Sequence, residues 1–273
     1  MANSRLITSL AARDRLQACE QFLQTTAGQE VLIVSATRMA ADELARSFCL
    51  KTGGAFGIHR FSPGALAIEI ASERLALSGK SVLSGIAVDA LAARAVQDCR
   101  TSSGLSWFEP VATTPGFFRA LASTLREIRL NNIDIAILAG SGPAGSDLAL
   151  LVAAYERYLT EAGLADSAEI YRTAATVVRD GRHRFSGFPL LLLDVAPRSE
   201  VERAFIQTLA GAATSVLAVI GSRDEPVLTT TPQDIRNEEP TALNRLREHI
   251  FSTSTPPKGR LDSTLEFRSA TDE

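Results

Sequence analysis

Two glycine-rich stretches in this 273-residue chain have the make-up of phosphate-binding loops. Gly140, Gly142 and Gly145 spell GxGxxG, after the apolar run IDIAILA and ahead of a helical pattern. A dinucleotide loop needs that context, because its glycines bring backbone amides against a pyrophosphate at a helix N-terminus. Two features speak against it here. Pro143 removes one amide from the cradle. No second strand ending in an acidic residue follows at the right distance, since Asp166 heads a helix. The other stretch is Ser78-Gly79-Lys80-Ser81. A phosphate loop reads GxxxxGK[ST] after a strand, and Arg74, inside a helix, stands where its first glycine belongs. Both stretches are expected to be turns. The first keeps a small-molecule or dinucleotide-binding α/β enzyme open as an alternative.

Metal and redox chemistry have little to work with. Cys19, Cys49 and Cys99 form no CxxC pair, and His59, His183 and His249 show no ligand spacing. No metal and no cofactor are expected. Buried, reduced cysteines suit a cytoplasmic protein. The N-terminus lacks a signal-peptide core, and apolar runs such as Leu190–Leu193 are far below the ~20 residues of a membrane span. No membrane partner is expected. A net charge of −3 gives no global attraction to nucleic acid but leaves room for a local basic groove. Only Lys51, Lys80 and Lys258 are lysines, so the positive charge is mostly arginine, whose planar fork suits phosphate.

The elements that would position such chemistry follow from periodicity. Helices are expected over 13–24, 37–48, 62–77, 82–99, 115–130, 146–162, 166–180, 200–209 and 241–251. Short apolar or β-branched runs predict strands at 31–35, 56–59, 189–193 and 215–220. The strand–helix–strand order near both ends predicts a parallel sheet. Between them lies an almost wholly helical block. The expected organisation is 1–80 as the first part of an α/β core, 81–186 as an inserted helical subdomain, and 187–230 as the second part of the core. Residues 231–273 read as a linker with a further strand at 265–267, as if the sequence were the N-terminal piece of a longer protein.

Four blocks in order carry a family resemblance. VLIVSATRMAADELARSF (31–48) resembles the segment after the phosphate loop of UvrD-type helicases, where a strand ends at a threonine and a turn touches single-stranded DNA. GIHRFSPGALAIEIA (57–71) resembles the strand–TFHS–helix block that comes next, LLLLDVAPRSEVERAFIQTLA (190–210) the Walker B segment, and VLAVIGSRDEP (216–226) the strand with the GDxDQ turn. PGFFRALASTLREIRL (115–130) and DLALLVAAYERYLTEAGLAD (147–166) look like segments of AddB-like proteins, the partner subunits of bacterial helicase–nucleases. Such proteins, and more distantly RecC-like ones, carry inactivated helicase lobes ahead of a PD-(D/E)XK nuclease domain. No carboxylate–lysine nuclease motif occurs in these 273 residues.

The resemblance implies a P-loop-NTPase-like parallel sheet, similar to helicase domain 1A, with an inserted helical subdomain. It also implies that ATP chemistry is lost. The stretch Leu6–Gln17, where the phosphate loop should lie, has neither glycine nor lysine. Asp194 matches the magnesium-holding aspartate, but Val195 replaces the glutamate that activates water. Gly221 is kept, while Ser222 stands for an aspartate and Glu225 for the γ-phosphate-sensing glutamine. Asp194, Val195, Gly221 and Glu225 thus form a degenerate nucleotide site. Thr37, Arg38, His59, Arg60 and Ser62 are expected to line a path for single-stranded DNA, guided without hydrolysis in a DNA repair setting. An AddA-like helicase subunit is the expected protein partner. The alternative of a docking lobe that touches no DNA stands beside this.

Overall fold

Leu190–Leu193 and Val31–Ser35 are buried along their whole length. A strand apolar on both faces needs cover on both, which a parallel sheet with crossover helices supplies. Burying four leucine side chains alone contributes on the order of 6–12 kcal/mol of transfer free energy. The fold comes from a computed structural model, which describes residues 3–102, 104–222, 224–234, 241–253, 255, 258–260 and 262–266.

The first part of the chain forms β1 (Asn3–Thr8), α1 (Ala12–Thr25), β2 (Val31–Ser35), α2 (Arg38–Thr52), β3 (Ile58–Phe61) and α3 (Pro63–Leu77). The middle forms β4 (Ser81–Val82), α4 (Gly85–Ser102), α5 (Pro115–Leu130), α6 (Ile135–Ala139), α7 (Pro143–Glu161) and β5 (Leu164–Ala165). The last part forms α8 (Ser167–Arg179), β6 (Leu190–Leu193), α9 (Glu200–Ala212), β7 (Ser215–Ile220), β8 (Pro232–Asp234) and α10 (Ala242–His249). The fold is α/β, as expected. Among the described residues a six-stranded sheet runs β3-β2-β6-β7-β1-β8, with every pairing parallel.

Strand alternation sorts the core into two layers. Ile7, Ile33, Leu191, Leu193, Leu217 and Val219 face α1 and α2. Leu6, Leu32, Val34, Leu192 and Ala218 face α3, α8 and α9. A third cluster, built by α4, α5 and α7, is a separate helical lobe. Helix α8 fell at the end of the expected helical insertion, yet it packs with the core layer. Strand β8 fell in the expected linker, yet it pairs with β1.

Other departures have local causes. β1 is unannounced because Arg5 and the polar residues Ser4 and Thr8 interrupt its apolar pattern, while Leu6 and Ile7 are buried on opposite faces. β3 starts at Ile58, two residues after the expected start, because Phe56 is 98% exposed and Gly57 has φ 74°. Leu265 and Glu266 form no strand, and Phe267 lies outside the described residues.

Both glycine stretches are structural. Ile135–Ala139 of the IDIAILA run is a helix capped by Asp134, not a strand. A Cβ on Gly145 would collide with the Leu138 carbonyl oxygen and Ser141 Oγ, so the glycine lets the start of α7 close on the end of α6. Ser81 and Val82 pair with Leu164 and Ala165 in a two-stranded ribbon, and Lys80 is ion-paired with Glu169. Neither stretch presents a phosphate cradle.

Gly145 gives a direct test of this packing. Alanine has the better helix propensity by about 1 kcal/mol. The backbone carbonyl of Leu138 cannot swing aside as a side chain can. Overpacking therefore wins, and Gly145→Ala is expected to destabilise the protein by about 1–3 kcal/mol in chemical denaturation.

Candidate functional site

With all strands parallel, their C-terminal ends share one edge. Ser35 aligns with Leu193, Leu193 with Val219, and Thr8 with Ile220. The residues that follow, Ser9, Thr37, Asp194 and Gly221, form the mouth of the sheet, with Ser62 after β3 at one side. Open parallel sheets bind ligands at this edge.

Thr37 caps α2, its Oγ1 accepting the Ala40 amide at 3.2 Å. Arg38 opens the helix and reaches one turn along, with Nε 3.3 Å from Asp42 Oδ1. Arg60 comes from β3 to the same carboxylate, with Nη1 3.4 Å from Asp42 Oδ1. The Arg38 guanidinium also lies 5.7 Å from the centre of the Phe61 ring. Two cations therefore share one anion. The first turn of α2 carries no acid, although a helix N-terminus is the positive end of its dipole. This corner has excess positive charge, and Arg38 and Arg60 keep roughly half and two-fifths of their side chains in solvent.

Not every expected strand-path residue joins them. Alternation along β3 sends Arg60 to the α2 side and His59 to the opposite side. There His59 lies 5.5 Å from both the Phe185 and Phe188 rings, with Nε2 3.3 Å from Glu30 Oε1. Glu30 precedes β2, so His59 leans toward the far edge of the sheet. Phe61 packs against Phe185 at 5.4 Å. Ser62 sits at the N-cap of α3, ahead of Pro63, without a side-chain capping bond.

The degenerate nucleotide residues are also divided. Val195 is buried among the residues facing α3, α8 and α9. Glu225 pairs with Arg203 of α9, Oε2 to Nη2 at 3.1 Å, and points into solvent. Gly221 follows β7, and a Cβ there would come 2.7 Å from Asp224 Oδ2, so the Asp224 carboxylate would have to shift. Asp194 stays at the mouth beside Gly221, and it meets Arg15 of α1 there, Nε to Oδ1 at 2.9 Å. Beneath this pair, burial and then the Asp194 charge push the Cys19 thiol up to about 12, so it stays protonated and unreactive.

Arg15 and Asp42 went unnoticed in the sequence. Asp42 was within reach of reasoning, four residues after Arg38 on a helix. Arg15 was not, since its role requires β1 to be recognised and threaded beside β7. Ser35 was missed too. It is fully buried on the α1/α2 side, and its Oγ has no hydrogen-bond partner among the described residues.

Among the described residues no group of His, Cys, Asp and Glu could hold a metal ion, and no helix is long and apolar enough to cross a membrane. The chain matches no model of a known protein family, and no curated protein matches it closely enough to count as a relative.

A second histidine lies behind His59. His183 lines a small cavity with Phe185, Phe188, Leu32, Leu190 and Leu209. Neither ring nitrogen has a hydrogen-bond partner among the described residues. Burial holds its pKa below the ordinary histidine value. The unfolded chain takes up that proton near pH 6.5, whereas the folded protein resists it. Stability is therefore full above about pH 6.5 and falls as the pH drops toward the folded value. Urea titrations across this range are expected to show that loss, and His183→Phe to flatten it.

Proposed function

We propose that this chain is a helicase-like lobe that holds single-stranded DNA without hydrolysing ATP. The Arg38–Asp42–Arg60 cluster carries the reading. Two guanidiniums, one carboxylate, an aromatic ring and a capped helix N-terminus meet at the ligand-binding edge of a parallel sheet. Excess positive charge at a helix N-terminus attracts phosphate, and an arginine fork suits its oxygens. The resemblance of the 31–48 and 57–71 blocks to the strand-contacting turns of UvrD-type helicases supports the same assignment. On that reading the sheet is P-loop-NTPase-like and α4–α7 are the inserted subdomain. The segments similar to AddB-like proteins make a helicase–nuclease subunit of DNA repair the natural whole, with an AddA-like helicase as its partner.

Two phosphate contacts predict a shallow salt dependence. Each contributes a slope of roughly −0.7 in log K against log salt for single strands, so about −1.4 for the pair. Fluorescence anisotropy with an oligothymidylate at about 50–200 mM salt is expected to show it. Arg38→Ala and Arg60→Ala should each weaken binding and halve the slope, and Asp42→Asn should strengthen it by freeing both arginines. Absence of salt-dependent binding, or affinity unmoved by both arginine variants, defeats the proposal.

One observation favours the docking reading. Asp147 is buried in the helical lobe and accepts the backbone amides of Ser106, Trp107 and Phe108, together with the Ser106 hydroxyl, at 2.8–3.2 Å. Burial alone would raise its pKa, but these donors outweigh burial and hold the carboxyl below the ordinary range. The turn they fix leaves Trp107 61% exposed. Around it Arg100 is already paired with Glu109. An exposed indole two residues from Glu109, which already holds Arg100, suits a protein surface. Trp107→Ala should therefore leave both stability and DNA affinity unchanged. A weakened DNA complex would move Trp107 into the strand path.

A further inference from the structure

A nucleotide is what the resemblance to UvrD-type helicases would put at the mouth of the sheet, and the residues present do not fit one. The β1–α1 connection is only the three residues 9–11. Ser9 is buried, its Oγ accepts the Ala11 amide at 3.1 Å, and its hydroxyl lies 3.1 Å from Asp14 Oδ2. The turn before α1 is thus closed on itself, with the Ala11 amide taken by Ser9 Oγ and the Ser9 hydroxyl turned to Asp14 of the first helical turn. An incoming phosphate would also face the carboxylates of Asp14 and Asp194.

We propose that Arg15 is a resident counter-ion that takes the place of a bound metal and nucleotide and fixes the mouth in one arrangement. Its guanidinium joins two strand ends directly. Nη1 donates to the Ser9 carbonyl oxygen at 2.7 Å, after β1. Nε lies 2.9 Å from Asp194 Oδ1 and Nη2 3.4 Å from Oδ2, after β6. The strand between them is held from both sides, since the Ser9 amide donates to Ile220 O at 3.2 Å and the Asp194 amide to Val219 O at 2.9 Å. One side chain therefore bridges the ends of β1 and β6, with β7 held between them by backbone bonds. Asp194 also has φ 50°, in the left-handed region. A non-glycine residue stays there when its surroundings determine it. The Arg15 side chain is 14% exposed and that of Asp194 40%, so the pair is screened by solvent on the carboxylate side only.

The consequence is a lobe that does not cycle. A ligand shifts a conformational equilibrium only through a difference in affinity between two states. The charge that enters and leaves the mouth of a motor is here part of the chain and cannot leave. The inference rests on the geometry of the mouth and is independent of DNA binding, so failure of one leaves the other standing.

Thermal unfolding of the whole chain tests it. The wild type is expected to show the same Tm with and without magnesium ion, MgADP or inorganic phosphate. Arg15→Ala should lower Tm by roughly 2–8 °C, because it leaves Asp194 without its partner. Arg15→Lys keeps the charge but not the fork, and should recover only part of the loss. In an Asp194→Asn background Arg15→Ala should cost much less, which is the signature of a direct pair. A rise in wild-type Tm with magnesium ion or MgADP overturns the proposal. So does an equal loss from Arg15→Ala in both backgrounds. If Arg15→Ala does not fold, the wild-type ligand series and Arg15→Lys still decide.

Discussion

A parallel pair of strands cannot be closed by a hairpin, so each step across this sheet returns over one of its faces, usually through a helix. That constraint buries both faces of β2 and β6 and explains their unbroken apolar runs. It also gathers every C-terminal strand end at one edge. Side chains that follow those strands are brought together whatever their distance in sequence, as Arg15 and Asp194 are. Charge collects there because the central strands β2, β6 and β7 have no room for it. The mouth resolves this in two ways. Near β1 and β6, opposite charges neutralise each other. Near β2 and β3, two arginines outnumber their acid.

The helical lobe is joined to this core by a second buried charge system. Arg129 of α5 pairs with Asp166, Nε to Oδ2 at 2.6 Å, and with Glu156 of α7. Asp166 also caps α8 by accepting the Glu169 amide at 3.0 Å. Arg172 of α8 donates to the Arg129 carbonyl oxygen at 2.8 Å. Burial by itself would lower the Arg129 pKa, but its carboxylate partners raise it, so the charge is kept. Replacing such a network with apolar residues often costs little stability. Its directional bonds, however, allow few orientations of α5 and α7 against α8. The network is better understood as setting an angle than as supplying free energy.

Much of the core was legible in the sequence. The runs at β2, β6 and β7 are apolar because both their faces are covered, and periodicity detects that. The α2 cap was legible because Thr37 precedes a regular helical pattern. β1 was not, because Leu6 and Ile7 divide between the two faces and the flanking residues are polar. β8 was hidden for a related reason: an edge strand that begins at a proline has no pattern beyond its pairing with β1. At the site, Thr37 caps α2, and Arg38 and Arg60 share the Asp42 carboxylate. His59 parts from Arg60 because neighbouring residues in a strand face opposite ways. Glu225 turns away because Arg203 of α9 offers it a partner. Such pairings depend on which helix lies over which strand, and that information is spread over the whole chain.

The ribbon of β4 and β5 has a consequence for how the chain could be cut and rejoined. Ser81–Val82 leads into the helical lobe and Leu164–Ala165 leads out, and the two segments run side by side. A Cβ on Gly163 would come 2.9 Å from the Gly79 carbonyl oxygen, so the crossing is as close as backbones allow. The lobe is thus a long excursion whose ends already meet. Bringing the ends of such a loop together costs entropy that grows only with the logarithm of its length. Lengthening, shortening or exchanging the lobe would alter that cost little and would leave the threading of the parallel sheet untouched.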